Sequence, residues 1–327
     1  MTDLWLLAVM KFVSCNLCGS DESRELYPST LPESHKATAG SAFNCTSPDY
    51  GRHYRIVQCK RCGFVYANPR GDPSDVLQAY ESVEDPLYSQ EREGRELTFR
   101  KHLEPLHHIT GAPNRRKLLD VGAYIGVFVE VARAAGWDAE GIEPSGWAVG
   151  EAQKRGLPVK QGTLDGGGFP PESFDVVTLW DVIEHFDDPR AEIDRVLRLL
   201  KPGGVVVIHT IDIGSLTAKI MGGHWPFLME MHIAFFSRAT LRAMLEQTGF
   251  EYISDRTQGR YLRLGYLAGR VSAAFGPWVG GPLEKAVSAL KLDSLPVPIN
   301  TLDLFTAYAK KPMYNRSSSD LGESQQR

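Results

Sequence analysis

Two pairs of cysteines and one acidic glycine turn carry the chemistry this chain offers. Cys15-Asn16-Leu17-Cys18-Gly19 and Cys59-Lys60-Arg61-Cys62-Gly63 are matching C-x-x-C-G knuckles separated by 40 residues. Four thiolates close a tetrahedral zinc shell and leave no position for water, which makes such a site structural. The glycine after each second cysteine allows the tight turn that aims backbone N–H groups at sulfur. A reduced or redox-active pair is the competing reading, and the duplication speaks against it. His35, Cys45 and His53 lie between the knuckles and are read as bystanders.

The second constellation is Leu118-Leu119-Asp120-Val121-Gly122-Ala123-Tyr124-Ile125-Gly126, an apolar strand that runs into a glycine turn and a helix start. Free N–H groups at a helix start can face a ligand. Glu143 follows 23 residues after Asp120, at the end of a second apolar run. A carboxylate there can accept both hydroxyls of a ribose. The dinucleotide fingerprint G-x-G-x-x-G is absent, because Ala123 and Tyr124 follow Gly122. An acid at the start of the turn would repel a phosphate and suit a cationic amino-acid group. The pattern therefore fits S-adenosylmethionine (SAM) better than a nicotinamide dinucleotide.

Several elements must position these residues. The chain has 327 residues, 43% of them hydrophobic, enough for about two domains with a sizeable core. A net charge of −4 provides no global basic field for nucleic acid. The apolar run Leu4 to Met10 is too short to span a bilayer, and no secretory signal pattern is evident. Five cysteines, four of them in C-x-x-C pairs, favour metal binding in a reducing cytoplasm over disulfides. We expect a zinc-ribbon-like module over 12–72, with a small hairpin from Tyr54–Val57 and Phe64–Tyr66. Ser74 is expected to cap a helix through Tyr80. A helical linker over 73–114 includes a charged, mostly solvated helix at 89–109. From 115 to 313 strands and helices alternate, which predicts an α/β, Rossmann-like open sheet. Its strands are expected at 117–121, 139–143, 158–161, 174–180, 205–210, 251–257 and 303–310. Asp120, Glu143, Gly162 and Asp181 then fall at strand carboxyl ends, where ligands collect. An apolar, helix-like insertion at 262–292, with Leu262, Leu264, Leu267, Val271, Trp278 and Val279, precedes the last strand. It suits a lid over a hydrophobic acceptor, a dimer interface or a packed flank. The tail, 314–327, is polar and expected to be disordered.

Asp120-Val121-Gly122-Ala123-Tyr124-Ile125-Gly126, Glu143-Pro144-Ser145, Ser173-Phe174-Asp175-Val176-Val177 and Leu200-Lys201-Pro202-Gly203-Gly204 resemble the ordered motifs of class I SAM-dependent methyltransferases. Trp180-Asp181-Val182-Ile183-Glu184-His185-Phe186-Asp187-Asp188-Pro189 is similar to the segment after strand four in the subfamily containing ubiquinone-type O-methyltransferases. The resemblance covers about 115–260 and implies a seven-stranded sheet completed by the strand at 303–310. It implies that Asp120, Gly122, Tyr124 and Gly126 line the methionine half of SAM and that Glu143 holds its ribose. Gly162, Thr163 and Leu164 would lie on the adenine side, with Trp180 and Asp181 where strand four opens into the cleft. The C-x-x-C-G block through Asn68-Pro69-Arg70 resembles the ribbon of bacterial methyltransferases acting on sugars and secondary metabolites. In those proteins it helps build or cover the acceptor site.

Methyl transfer from a sulfonium is an in-line displacement, so a general base is needed only where the acceptor must lose a proton. His185, His224 and His232 are the candidates, with His185 and His232 preferred as catalytic residues. Glu230-Met231-His232-Ile233-Ala234-Phe235-Phe236-Ser237 resembles the element after strand five that reaches over the acceptor pocket. The expected acceptor is a small molecule or a glycan, including a lipid-linked one, methylated on oxygen or carbon. Peripheral membrane contact is compatible with this, and the sequence sets no oligomeric state. Two alternatives stay open: an rRNA base methyltransferase with a zinc ribbon, opposed by the acidic balance, and a non-catalytic binding module.

Overall fold

A computed structural model describes residues 10–32 and 50–313. The run beginning at Leu4, His35, Cys45 and the tail from 314 lie outside the described residues. The chain opens with β1 (Ser23–Tyr27), β2 (Ile56–Cys59) and β3 (Val65–Ala67). The expected hairpin is thus present as β2–β3, and β1 adds an antiparallel third strand. Three helices follow, α1 (Pro73–Glu81), α2 (Pro86–Gln90) and α3 (Arg92–Thr110). Asp72, not Ser74, caps α1: its carboxylate accepts the Ser74 N–H, and Pro73 fills the first helical position, where no N–H is needed. The stretch expected to be mostly solvated buries Thr98, His102, Leu103 and Leu106 of α3. Its polar composition hid this, because Thr98 and His102 are themselves polar.

The alternating region delivers β4 (Lys117–Val121), α4 (Val127–Ala134), β5 (Asp138–Glu143), α5 (Gly146–Lys154), β6 (Val159–Gln161) and β7 (Phe174–Trp180). After a short 3-10 turn at Ile183–His185 come α6 (Pro189–Leu199), β8 (Leu200–Ile211), α7 (Leu216–Met221) and β9 (Ala234–Phe235). Then follow α8 (Arg238–Gln247), β10 (Glu251–Thr257), β11 (Arg260–Arg263), α9 (Leu264–Phe275), α10 (Pro277–Ala289), β12 (Pro296–Ile299) and β13 (Leu304–Lys310). Ser145, Asp188 and Ser237 cap their helices with side-chain oxygens. The Lys201–Gly204 segment follows the end of α6 and forms a bulge inside β8. Pairing with β7 jumps from Phe174↔Leu200 to Val176↔Val205, and Gly203 supplies the positive φ of 78°.

The main sheet has seven strands in the order β10-β13-β8-β7-β4-β5-β6. β4 to β8 run parallel, and β13 is antiparallel to both neighbours. This is the doubly wound α/β architecture, and the order reverses between β4 and β7. One face packs on α3, α4 and α5 through Leu103, Phe128, Trp137 and Val149. The other packs on α6 and α8 and continues into Cys15, Leu17, Phe64 and Tyr66. A smaller sheet, β1-β2-β3-β9, recruits Ala234 and Phe235 from the far side of the chain. The cysteine module therefore shares its core with the main sheet. No helix among the described residues is long and apolar enough to cross a membrane.

Candidate functional site

The four knuckle sulfurs converge. Cys15 and Cys62 Sγ are 3.5 Å apart, as are Cys18 and Cys59, and all four lie within 4.8 Å of one another. Zinc–sulfur bonds of about 2.3 Å place tetrahedral sulfurs about 3.8 Å apart, so the cluster matches a four-cysteine zinc shell. Gly19 and Gly63 take positive φ, and each returns its N–H to the first cysteine's carbonyl. Burial works against a Cys59 thiolate, but the N–H groups of Cys62 and Arg61 and the neighbouring thiols outweigh it and bring the thiol to about 7. The module is bolted to the segment after β7. Arg70 is buried, and its guanidinium donates to the Asp187 carboxylate at 3.0 and 2.6 Å and to the Asp187 carbonyl.

At the carboxyl ends of β4 and β5 the turn and the second acid meet. Glu143 is fully buried; its two oxygens accept the N–H groups of Tyr124 at 3.0 Å and Ser145 at 2.8 Å. The Tyr80 hydroxyl also reaches it. Burial is the main cause that lifts its carboxyl to about 7. Asp120 is buried and bonded to the Thr178 hydroxyl of β7 at 2.7 Å; burial, with Glu143 adding to it, lifts its carboxyl to about 8. Gly122 and Gly126 take positive φ. A Cβ would strike Val182 at 2.5 Å from Gly122 and Leu157 at 2.9 Å from Gly126. The space these glycines spare is thus filled by protein as well. Tyr124 is buried with its ring 4.3 Å from that of Tyr88. Gly162 donates its N–H to the Glu143 carbonyl. Thr163 follows half-buried, and Leu164 packs against the main core.

Beyond β7, Asp181 sits at φ 55°, 3.7 Å from His209 and 3.9 Å from Arg260. Burial opposes its charge, yet Arg260 and His209 hold its carboxyl below the usual range. Trp180 is enclosed by Phe99, His102, Phe128 and His209, as a core tryptophan is. His185 and His232 come together, with ring centroids 5.0 Å apart. Each Nδ1 faces a carbonyl, Met231 at 2.9 Å and Phe227 at 2.7 Å, and a carbonyl can only accept. In His232 this tautomer leaves Nε2 as a proton acceptor. Burial lowers both pKa values, that of His232 to about 3, so both rings are neutral near pH 7. A Glu184 oxygen and one nitrogen from each ring lie within 4.8 Å of one another, a grouping with the donors for a divalent cation. His224 lies in a separate 3-10 turn.

Sequence reasoning missed His102, His209, Arg260 and Arg95. With Glu91, Thr98, Trp180 and Asp181 they line a cavity of about 30 Å³. His209 was legible: it lies two residues past Val207 on a strand face that is otherwise apolar. His102 donates from Nε2 to a group 157 residues away, the Gly259 carbonyl, and no local pattern announces that.

A family model described as a methyltransferase domain matches residues 92–255, half of the chain. The ubiquinone biosynthesis O-methyltransferase of Methylococcus capsulatus is 36% identical over 113 residues, 32% of this chain and 47% of that protein. The Bordetella avium protein of the same name is 27% identical over 167 residues, 46% of this chain and 68% of its own length. The chain spans about half the length of several of the curated relatives it matches. Among solved structures, a SAM-dependent methyltransferase from Archaeoglobus fulgidus aligns over 69% of this chain and all of its own, with 20% identity and a TM-score of 0.47. Phosphoethanolamine N-methyltransferase 2 of Haemonchus contortus, solved with SAM, aligns over 68% of this chain and 56% of its own, with 19% identity and a TM-score of 0.45.

Proposed function

The chain belongs to the SAM-dependent methyltransferases, and from that premise we propose that it methylates a hydroxyl oxygen of a small-molecule acceptor, with sugars, glycans and lipid-linked molecules inside that class. The observation that carries the reading is Glu143: a buried carboxylate at the end of β5, fixed by two backbone N–H groups and already accepting one hydroxyl, from Tyr80. A ribose presents two hydroxyls of the same kind. Asp120, Gly122, Tyr124 and Gly126 would hold the methionine half, and Gly162, Thr163 and Leu164 the adenine side. Trp180 and Asp181 would wall the cleft at the end of β7. SAM supplies the methyl on a good leaving group, so the protein's task is alignment.

His232 is the base in this reading. Its Nε2 takes the acceptor's hydroxyl proton as the oxygen–carbon bond forms and the carbon–sulfur bond breaks. His185 lies against it and lowers its pKa further after burial. Oxygen is favoured over carbon because the ubiquinone-biosynthesis relatives are O-methyltransferases. The four cysteines are assigned to one structural zinc ion. Calorimetry with SAM tests the core of the proposal. Wild type should bind, and Glu143→Ala should weaken binding roughly a hundredfold, as expected when hydrogen bonds to a charged acceptor are lost. Absence of heat with the wild-type protein would sink it.

A further inference from the structure

The helices α9 and α10 form a closely packed hairpin. A Cβ on Gly280 would lie 2.2 Å from the Ser272 Cα, so the two backbones touch. Its base is held by the β11–β12 ribbon and by the Leu264 and Gly265 N–H groups, which donate to Leu295 and Asp293. The Arg263–Glu91 ion pair, 2.7 Å, ties that base to α3. The outer end is different. Trp278 is 94% exposed and Val279 59% exposed, next to the turn at Gly276-Pro277. From Val271 to Leu283 the chain carries no charge; Arg270 closes this stretch on one arm, and Glu284 and Lys285 close it on the other. The charges therefore stand at one level. Seven residues of helix at about 1.5 Å each place that level about 10 Å behind the turn.

We infer that the α9–α10 hairpin is a membrane-docking element, whose uncharged end inserts into the headgroup and upper acyl region of a lipid bilayer. Interfacial elements seat their apolar parts about 5–10 Å deep, the depth that the charged level allows. Tryptophan prefers that zone, with its indole ring amid apolar matter and its N–H near the headgroups. A second copy of the chain is a poorer occupant. The end of two helices side by side presents about 200 Å², given helix diameters of 10–12 Å, against the roughly 800 Å² per partner of a stable interface. Lys285 and Arg270 are too few to bind an anionic surface by charge alone, so apolar insertion drives the docking and salt changes it little. The inference does not depend on which acceptor is methylated.

The test uses the full chain and vesicles of phosphatidylethanolamine with phosphatidylglycerol, read by cosedimentation. Wild type should sediment with the vesicles, and Trp278→Glu should bind roughly tenfold or more weakly, from the loss of one large apolar insertion. Trp278→Phe should still bind. With brominated phosphatidylcholine, tryptophan emission of wild type should be quenched, and that of Trp278→Phe should not. Trp278 is 94% exposed and lies outside the Asp120–Gly126 turn and the histidine pair, so SAM calorimetry on Trp278→Glu should match wild type and show that the variant is folded. Failure of wild type to sediment, or equal sedimentation of Trp278→Glu, overturns the inference. A concentration-dependent dimer in ultracentrifugation that Trp278→Glu abolishes also overturns it, in favour of a second copy.

Discussion

Asp120, Glu143 and Glu184 are buried carboxyl groups whose pKa values burial lifts to about 8, 7 and 8. Unfolded, they would titrate near the ordinary values of about 4. Between those limits the folded chain holds more protons than the unfolded one, so its stability falls as pH rises. His102, His185, His209 and His232 act in the opposite sense. Burial holds them neutral, and the stability they withhold at low pH is regained as pH rises to about 6.5. Above pH 6.5 the three carboxyl groups pull stability down toward pH 8, opposed by the Cys59 thiol, whose value lowered to about 7 acts in the other sense. Each proton involved steepens the decline by at most about 1.4 kcal/mol per pH unit. Asp120→Asn keeps the contact to Thr178 and cannot ionise, so urea unfolding at pH 6.5, 7.25 and 8 should show a shallower decline than wild type. An unchanged slope would place the Asp120 pKa near its ordinary value. Asp120, Glu143, Glu184, His185 and His232 were legible as types and spacings, whereas His102 and His209 were missed. The protonation of none was legible, because it follows from burial that only the packed sheet creates.

At the scale of elements, β3 links the cysteine cluster to the histidine segment. Its Val65 and Tyr66 pair with Phe235 and Ala234, three and two residues after His232. Phe64 packs against Phe236 with the rings tilted and their centroids 5.1 Å apart. Structural zinc can contribute on the order of 10 kcal/mol to folding a small module. Cys59→Ser should therefore lose about one zinc per chain and speed amide exchange at Ala234 and Phe235, while exchange in β4 and β5 stays slow. Zinc retained, or exchange changed equally everywhere, would separate the metal from the histidine segment. Strand positions were readable because buried parallel strands are short apolar runs between glycine and proline signals. Four strands are not legible in this way, among them Arg260–Arg263 and Pro296–Ile299, which pair with each other at the two ends of the insertion. Ser23–Tyr27 is polar on one face and gains its place only by pairing with β2, and Ala234–Phe235 is too short to show a period. The insertion at 262–292 reads as helical and apolar from its residues. The sequence alone does not separate lid, flank and interface, because which side of a helix is left bare depends on what packs on the other.

For the whole molecule, the decisive fact is a core without a seam. Cys15, Leu17, Phe64 and Tyr66 belong to the same buried cluster as Val177, Ile208 and Phe305 of the main sheet. Arg70 adds a buried guanidinium bonded to Asp187 of the other half, and Arg190 donates to the Leu17 carbonyl at 3.4 Å. A module that shares its core and a buried ion pair cannot unfold by itself without exposing the partner's apolar face and stranding a charge. Calorimetry should accordingly show one cooperative transition for module and sheet together. A chelator should move that transition down as a whole and should not split off a low-temperature shoulder. Phe64→Ala removes a fully buried ring at the junction and should cost about 3–5 kcal/mol. At roughly 2–4 °C per kcal/mol for a chain of this order of size, the single transition falls by about 6–20 °C. Two resolved transitions, with only the first sensitive to chelator and to Phe64→Ala, would mean that the cysteine module is an independent domain, and that zinc does not act on the histidine pair through the shared core.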